Sequence, residues 1–324
     1  MYYAFFGLKR PPFRITPDTE FFFEGANRGA VLDALVYAIL NGEGIIKVTG
    51  EVGSGKTMLC RMLQARLAER VDIVYLGNPS VSPDEIMHAI AFELQLPVAR
   101  DAKRLEVMHA LHDYLLRRHA EGRQVVAFVE ESQGMPIATL EEIRLLSNLE
   151  TDRHKLLQLV LFGQPELDEN LSETSIRQLR ERITHSFNLA PLAESDIGEY
   201  LNFRLRAAGY RGPALFSPKV VAFIARASGG LTRRINLIAE KTLLAAFAAN
   251  THTVTIEHAR VAVRDSEFNQ QPSSQRKARP SRGWTTGAIV IVMMIAAGGA
   301  WWLFHQSNSP SPPTPPVPAL PRAP

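Results

Sequence analysis

The eight residues GEVGSGKT, Gly50 to Thr57, constrain this chain more than any other stretch, because they join an apolar run, GIIKVT, to a segment of helical period, MLCRMLQARLAER. In that context G-x-x-x-x-G-K-[ST] reads as a phosphate loop. Gly50, Gly53 and Gly55 permit the tight turn, and the backbone N–H groups along Gly50, Glu51, Val52, Gly53, Ser54 and Gly55 face an anion. The following helix adds its positive N-terminal end. Lys56 is placed to reach the β- and γ-phosphates of ATP, and Thr57 to ligate Mg²⁺.

A loop of this kind needs a sheet around it, and four further apolar runs supply one. They are DIVYLG (Asp72 to Gly77), VVAFVE (Val125 to Glu130), LQLVLFG (Leu157 to Gly163) and the weaker HSFNLA (His185 to Ala190). Helical periodicity lies between them, as in AKRLEVMHALHDYLLRRH, so the expected architecture is α/β, a parallel sheet covered on both faces. From Ala193 onward the strand signal stops. SDIGEYLNFRLRAA, SPKVVAFIARAS, LTRRINLIAEKTLLAAFAA and TIEHARVAVRDSEF repeat apolar residues every three or four positions. Ser195, Ser217 and Thr255 are N-cap candidates and Gly209 and Gly229 candidate stops. With 324 residues, 46% of them hydrophobic, the chain can bury one large core and a smaller one. The expected layout is a P-loop ATPase domain over 1–191 and a helical lid over 192–268.

Beyond residue 268 the composition changes. NQQPSSQRKARPSRG, 269–283, has no periodicity and reads as a basic flexible linker. GWTTGAIVIVMMIAAGGAWWLF follows, an uncharged run of about 22 residues, or roughly 33 Å as a helix against roughly 30 Å of hydrocarbon. With Trp284, Trp301 and Trp302 at its edges, 284–304 is expected to be a transmembrane helix. Arg276, Lys277, Arg279 and Arg282 precede it, which places the N-terminal side in the cytoplasm; the Pro-rich tail 305–324 is then extracytoplasmic. The N-terminus, MYYAFFGLKRPPFRITPD, lacks the order of a signal peptide, since its short apolar run is followed by Lys9 and Arg10. A single cysteine, Cys60, excludes an intramolecular disulfide and fits a reducing compartment.

Net charge is +3, but five of the 36 Lys and Arg lie beyond residue 268, leaving 31 against 33 acidic residues before it. A folded part near −2 is a poor electrostatic candidate for nucleic-acid binding.

Other candidate site residues cluster at strand ends. Glu130 and Glu131 lie in VVAFVEES, just after Val129, where one carboxylate completes a Mg²⁺ shell and its neighbour polarises the attacking water. Gln164, in LFGQPEL, is either a sensor of the γ-phosphate or part of a plain turn made by Gly163 and Pro165. Arg177, Arg180 and Arg182 form a basic cluster that is either surface charge or the source of a guanidinium for a neighbouring subunit's phosphate. Arg233 and Arg234 open a helix of the second unit and either reach the nucleotide or are solvated. The histidines show no metal spacing, and Cys60 is read as structural.

Taken together these stretches resemble the AAA-type secretion ATPases of the general secretion pathway component A kind and the similar MSHA pilus biogenesis proteins. The resemblance covers roughly Tyr2 to Arg264 and rests on FFGLKRPPFRITPD, TGEVGSGKT, GQPEL, RQLRERI and SGGLTRRINLIAEKTLLAAF. It implies an AAA+-like fold with a helical lid, ATP and Mg²⁺ as ligands, and a homo-oligomer. It also implies roles: Glu130 and Glu131 as the Walker B pair, Gln164 as first sensor, Arg182 as arginine finger and Arg233 as second sensor. Glu130 departs from the family's Asp and Thr232 from its Pro; where some relatives carry a folded wall-binding domain beyond the span, this sequence has a short Pro-rich segment, so direct wall binding is not expected. The expected function is a membrane-anchored ATPase of the bacterial inner membrane, its ATPase domain cytoplasmic and its tail periplasmic, that assists assembly of a secretion system or type IV-like pilus. Two other readings stand beside it, an ATP-binding scaffold with little hydrolysis and a DNA-transposition or segregation ATPase.

Overall fold

Five strands form one parallel sheet: β1 (Ile45–Thr49), β2 (Val71–Leu76), β3 (Gln124–Val129), β4 (Leu157–Gly163) and β5 (Ile183–Asn188). They are seen in a computed structural model that describes residues 2–42 and 44–266. The spatial order is β2-β3-β4-β1-β5. β4 is therefore inserted between β1, which leads into the phosphate loop, and β3, which leads into Glu130. The register pairs Thr49 with Gly163 and Val129 with Leu161, so Gly50, Gln164 and Glu130 all leave the sheet at one edge.

Helices cover both faces. On one lie α2 (Arg28–Leu40) and α3 (Lys56–Leu67); the other carries α4 (Pro83–Glu93), α5 (Arg104–Ala120), α6 (Ile137–Leu146), α7 (Glu166–Ser172) and α8 (Arg177–Glu181). Successive strand residues feed opposite cores. Ile45 and Val125 point to the α4–α8 side, whereas Ile46 and Val126 point to the α2–α3 side. Because both faces are covered, β4 is buried along its whole length, which is why the sequence reads there as an unbroken apolar run. β5 sits at an edge and alternates half-buried with exposed residues. That weak alternation explains its earlier start, at Ile183 instead of the expected His185.

The helical part comprises α9 (Glu194–Ala207), α10 (Pro218–Ser228), α11 (Thr232–Ala248) and α12 (Ile256–Arg264). Ser217 and Thr255 occupy N-cap positions, Thr255 in a capping box completed by His258. Ser195 does not: α9 starts one residue before it with Ala193 as N-cap, and the Ser195 hydroxyl donates to Asp196 Oδ1 at 3.1 Å. Gly229 ends α10 in the left-handed region, and Gly209 follows the end of α9.

The N-terminal segment, including the short α1 (Tyr2–Phe5), packs mainly into the helical part, while Phe22 enters the α2–α3 core of the sheet. Tyr2, Phe6, Leu8, Phe13, Phe21 and Phe23 share a core with Ile197, Leu201, Ile224 and Leu243. Arg204 on α9 fixes this segment by donating to the carbonyls of Pro12 (2.7 Å) and Arg14 (3.2 Å) while its guanidinium lies 4.5 Å over the Phe21 ring. Residues 1–269 form one compact unit. Among the described residues no helix is long and apolar enough to cross a membrane. The expected linker, span and tail, 269–283, 284–304 and 305–324, lie outside the described residues.

Candidate functional site

The phosphate loop leaves β1 at Gly50, whose N–H donates to Gly163 O at 3.2 Å and so ties the loop to the end of β4. Gly53 has a φ of +80°, and a Cβ placed there would meet Arg233 Cβ at 2.7 Å, so only glycine fits beneath the start of α11. The Lys56 ammonium is buried and donates to Gly50 O (2.7 Å) and Glu51 O (3.1 Å). Burial lowers its pKa, and the carboxylates of Glu131, Glu130 and Glu51 only partly offset this. A half-desolvated lysine at the mouth of a glycine loop is suited to an anion. Ser54 is fully buried, Val52 is exposed, and Thr57 Oγ1 donates to Glu130 Oε2 at 3.2 Å.

Glu130 follows β3, with its N–H bonded to Leu76 O at 2.9 Å, and is buried with Oε1 lacking any partner. A buried, unpartnered carboxylate oxygen beside a threonine hydroxyl fits a hard divalent cation such as Mg²⁺. Among the described residues no group of three or more His, Cys, Asp and Glu could hold a metal by itself. An ion held by Thr57 and Glu130 would thus take its remaining ligands from water and phosphate, the usual habit of Mg²⁺. Cys60, on α3 behind the loop, is buried, and desolvation raises its pKa, so the thiol stays protonated.

Glu131 stands in the left-handed region at φ 52°, an uncommon conformation for a residue with a Cβ. Its Oε2 accepts from Gln133 Nε2 at 2.7 Å and from Gln164 Nε2 at 3.1 Å. Burial works to raise its pKa, but the two amides and the Lys56 charge outweigh it and hold the carboxyl below its usual value. Gln133 also accepts from the Gln164 N–H at 3.0 Å through Oε1 and from Asn170 Nδ2 at 2.9 Å through its carbonyl. One side chain thus joins the loop after β3 to the loop after β4.

The structure brings Lys56, Thr57, Glu130, Glu131 and Gln164 to one edge and adds Arg233 from above. The Arg233 N–H (3.1 Å) and the Thr232 hydroxyl (2.7 Å) both donate to Gly53 O. A cavity of about 290 Å³ opens here, and Arg233 lines it while Arg234 does not. Arg182 is elsewhere. It precedes Ile183, which pairs with Ile45 at the start of β1, so it lies at the opposite end of the strands. Five residues of strand put it roughly 16 Å from the phosphate loop of its own chain. There it donates to Ser147 Oγ at 2.9 Å and also bonds Asn148, whereas Arg177 pairs with Glu181 at 2.8 Å.

Sequence reasoning missed four residues here: Gln133, Arg28, Tyr200 and Asn236. Tyr200 and Asn236 line the cavity as a buried pair, the Tyr200 hydroxyl donating to Asn236 Oδ1 at 2.8 Å. Arg28 opens α2, and its guanidinium donates to Ser54 O at 2.7 Å. Only Gln133 carried a local signal, as the first amide beyond the glutamate pair.

Residues 39–171, from the end of α2 through most of α7, match the AAA domain family. This stretch is similar to an AAA domain. The match takes in the phosphate loop, Glu130, Glu131 and Gln164, and leaves out the N-terminal segment, β5 and the helical part. The chain is also 42% identical over 254 residues to General secretion pathway protein A of Aeromonas hydrophila, covering 78% of itself and 46% of that protein. It therefore spans about half the length of this curated relative. Among solved structures it is similar to the Aeropyrum pernix ORC2 protein in its ADP form, with a TM-score of 0.61 at 16% identity over 81% of this chain and 74% of that one. The Thermotoga maritima RuvB Holliday junction branch migration motor gives 0.52 at 15% identity, over 78% and 72%. At such identities the likeness is one of fold. The chain thus has the P-loop α/β fold expected from the sequence, with a parallel five-stranded sheet.

Proposed function

We propose that the chain is an ATPase whose Glu131 carboxylate activates the attacking water. The observation that carries this is the convergence, at one sheet edge, of Lys56, Thr57, Glu130, Glu131 and Gln164, with the Gln164 amide 3.1 Å from Glu131 Oε2. The loop's backbone N–H groups beyond Gly50 and the Lys56 ammonium hold the β- and γ-phosphates, displacing Lys56 from its carbonyl partners. Thr57 and Glu130 hold Mg²⁺, which when bound neutralises phosphate charge. Glu131 takes the proton of a water whose oxygen bonds to the γ-phosphorus as the bridging P–O bond breaks and ADP leaves. Gln164 leaves Glu131 for the γ-phosphate, so that the base is released only when the phosphate is present. Arg233 contacts the same phosphates from the helical part. Arg182, at the far end of the strands, serves a neighbouring copy, so the active form is a homo-oligomer.

The relative's name, General secretion pathway protein A, supports a role in a secretion pathway; the proposal extends this, on the sequence alone, to assembly of an envelope secretion machine or type IV-like pilus, with residues 284–304 as a single inner-membrane anchor. The domain boundaries 1–191 and 192–268 are part of the same proposal. The test is steady-state ATP hydrolysis by the full chain with Mg²⁺, measured against protein concentration. Specific activity is expected to rise with concentration, and Arg182→Ala subunits mixed with Glu131→Gln subunits are expected to recover part of it. Binding without turnover at any concentration would replace this reading with an ATP-binding scaffold.

A further inference from the structure

The chain passes between the sheet and the helical part twice. On the first pass Phe23 belongs to the helical core and α2, five residues on, to the sheet core. On the second, the last sheet-side bond is Leu189 N–H to Thr49 O at 2.7 Å, and the first helical-side bond is Leu192 N–H to Gly230 O at 2.9 Å. Between those bonds lie only Ala190 and Pro191. Gly230 has a φ of +76° and leaves no room for a Cβ against Leu192 O, so the helical part is closely seated from Leu192 onward. Rotation between the two parts is thereby confined to residues 190 and 191 on this pass.

Arg28 reaches all three places that matter. It is the first residue after the first pass, it donates to Ser54 O of the phosphate loop at 2.7 Å, and it donates to Ala190 O of the second pass at 3.4 Å. Arg28 is 6% exposed, and its Nε has no partner among the described residues. Among the described residues no carboxylate compensates the charge: desolvation lowers its pKa, opposed by Tyr200. A buried cation held by carbonyls alone keeps most of its desolvation cost until an anion arrives. The adjacent carbonyl of the loop, Gly53 O, is taken by Thr232 and Arg233 of α11. Consecutive carbonyls of the phosphate loop are thus both bonded by groups that control the helical part.

We propose that Arg28 is the positioning residue that couples occupancy of the phosphate loop to the Ala190–Pro191 hinge. The coupling rests on the nucleotide-site reading above. Phosphates on the loop supply the negative charge the guanidinium lacks, and the bond to Ser54 O, the shorter, keeps Arg28 with the loop. The longer contact to Ala190 O gives way, and the hinge is released while the loop is filled.

The experiment is amide hydrogen exchange on the full chain with and without ATP, alongside equilibrium ATP binding. In the wild type, ATP is expected to speed exchange at Ala190 and Leu192 on the order of threefold while slowing it in the phosphate loop. Arg28→Gln, which lacks the cation, is expected to exchange fast at both amides whether or not ATP is present. Arg28→Lys keeps the charge but replaces the two guanidinium nitrogens that reach separate carbonyls with a single ammonium, so at saturating ATP it is expected to show no hinge response. If Arg28→Gln does not fold, the lysine variant carries the test. A hinge response to ATP in Arg28→Lys matching the wild type overturns the coupling. A wild-type chain that binds no ATP instead overturns the nucleotide reading itself.

Discussion

The two halves of this molecule are built on different terms. The sheet half draws its cores from neighbouring strands and helices, so that Val125 and Val126, adjacent in sequence, serve opposite faces. The helical half is completed by a segment almost two hundred residues away: Phe13 packs edge-on against Phe216 with ring centroids 6.0 Å apart, and Arg204 bonds to Pro12. The AAA domain match stops short of both the N-terminal segment and the helical half. The difference teaches that the helices over the nucleotide site are not a self-contained appendage. Their stability depends on residues that precede the phosphate loop.

The sharpest way to break this comparison is to empty the same volume in each half. Phe13→Ala and Phe128→Ala remove rings that are both at most 2% exposed, and each is expected to cost about 3–5 kcal/mol in urea titration followed by circular dichroism. A cost below about 1 kcal/mol for Phe13→Ala would reduce the N-terminal segment to a loose strap. Arg204→Ala tests the polar side of the same joint. It leaves two carbonyls without donors and is expected to cost about 2–3 kcal/mol, with Arg204→Lys restoring only part of this.

The counterpart in the sheet half is the Asp72 network, which ties β2 to α5. Asp72 Oδ1 accepts from Arg123 Nη2 at 2.8 Å, and Arg118 and Tyr114 donate to Oδ2. The Arg118 bond chiefly, then Arg123 and Tyr114, hold the Asp72 carboxyl at about 2, against burial. The folded value is depressed, so the contribution is complete above the ordinary value of 3.8 and disappears as pH falls through about 2. Asp72→Asn is expected to remove roughly 1 kcal/mol at neutral pH, allowing for solvent screening, and to flatten the stability profile between pH 4 and about 2. An unchanged profile would make the network decorative.

Smallest is the effect at Gln133, which sharpens the comparison inside the site. Its amide helps hold the Glu131 carboxyl low, so Gln133→Ala raises that value, and the acid limb of the turnover profile moves to higher pH. A kcat loss with no movement of the limb would assign Gln133 to scaffolding alone.

How much of this could be read from the sequence follows from where each constraint is local. β1, β3 and β4 were legible because burial on both faces leaves continuous apolar runs, and the phosphate loop because its glycines, Lys56 and Thr57 are contiguous. The placement of Gln164 needed only the strand that precedes it, although its bond to Glu131 depends on β4 lying between β1 and β3. The β5 start was missed by two residues, since an edge strand that is half-buried on alternate positions carries little apolar signal. Ser195 is misjudged as an N-cap because cap preference favours serine over alanine, whereas α9 starts at Glu194 with Ala193 at the cap. Arg28 and the N-terminal aromatics were silent for a different reason: their partners, Ser54, Ala190 and Phe216, are reached only through the tertiary fold. The transmembrane expectation at 284–304 concerns residues beyond those the structure describes.

The central claim is that Glu131 is the base of an ATP-hydrolysing site. It is tested most directly by turnover and ATP binding of Glu131→Gln beside the wild type, in the full chain with Mg²⁺. The variant keeps the length and hydrogen bonding of the side chain and removes only its charge. Loss of turnover by at least about a hundredfold, with ATP affinity within about threefold of wild type, is the expected result. Turnover in Glu131→Gln equal to that of the wild type would contradict the account.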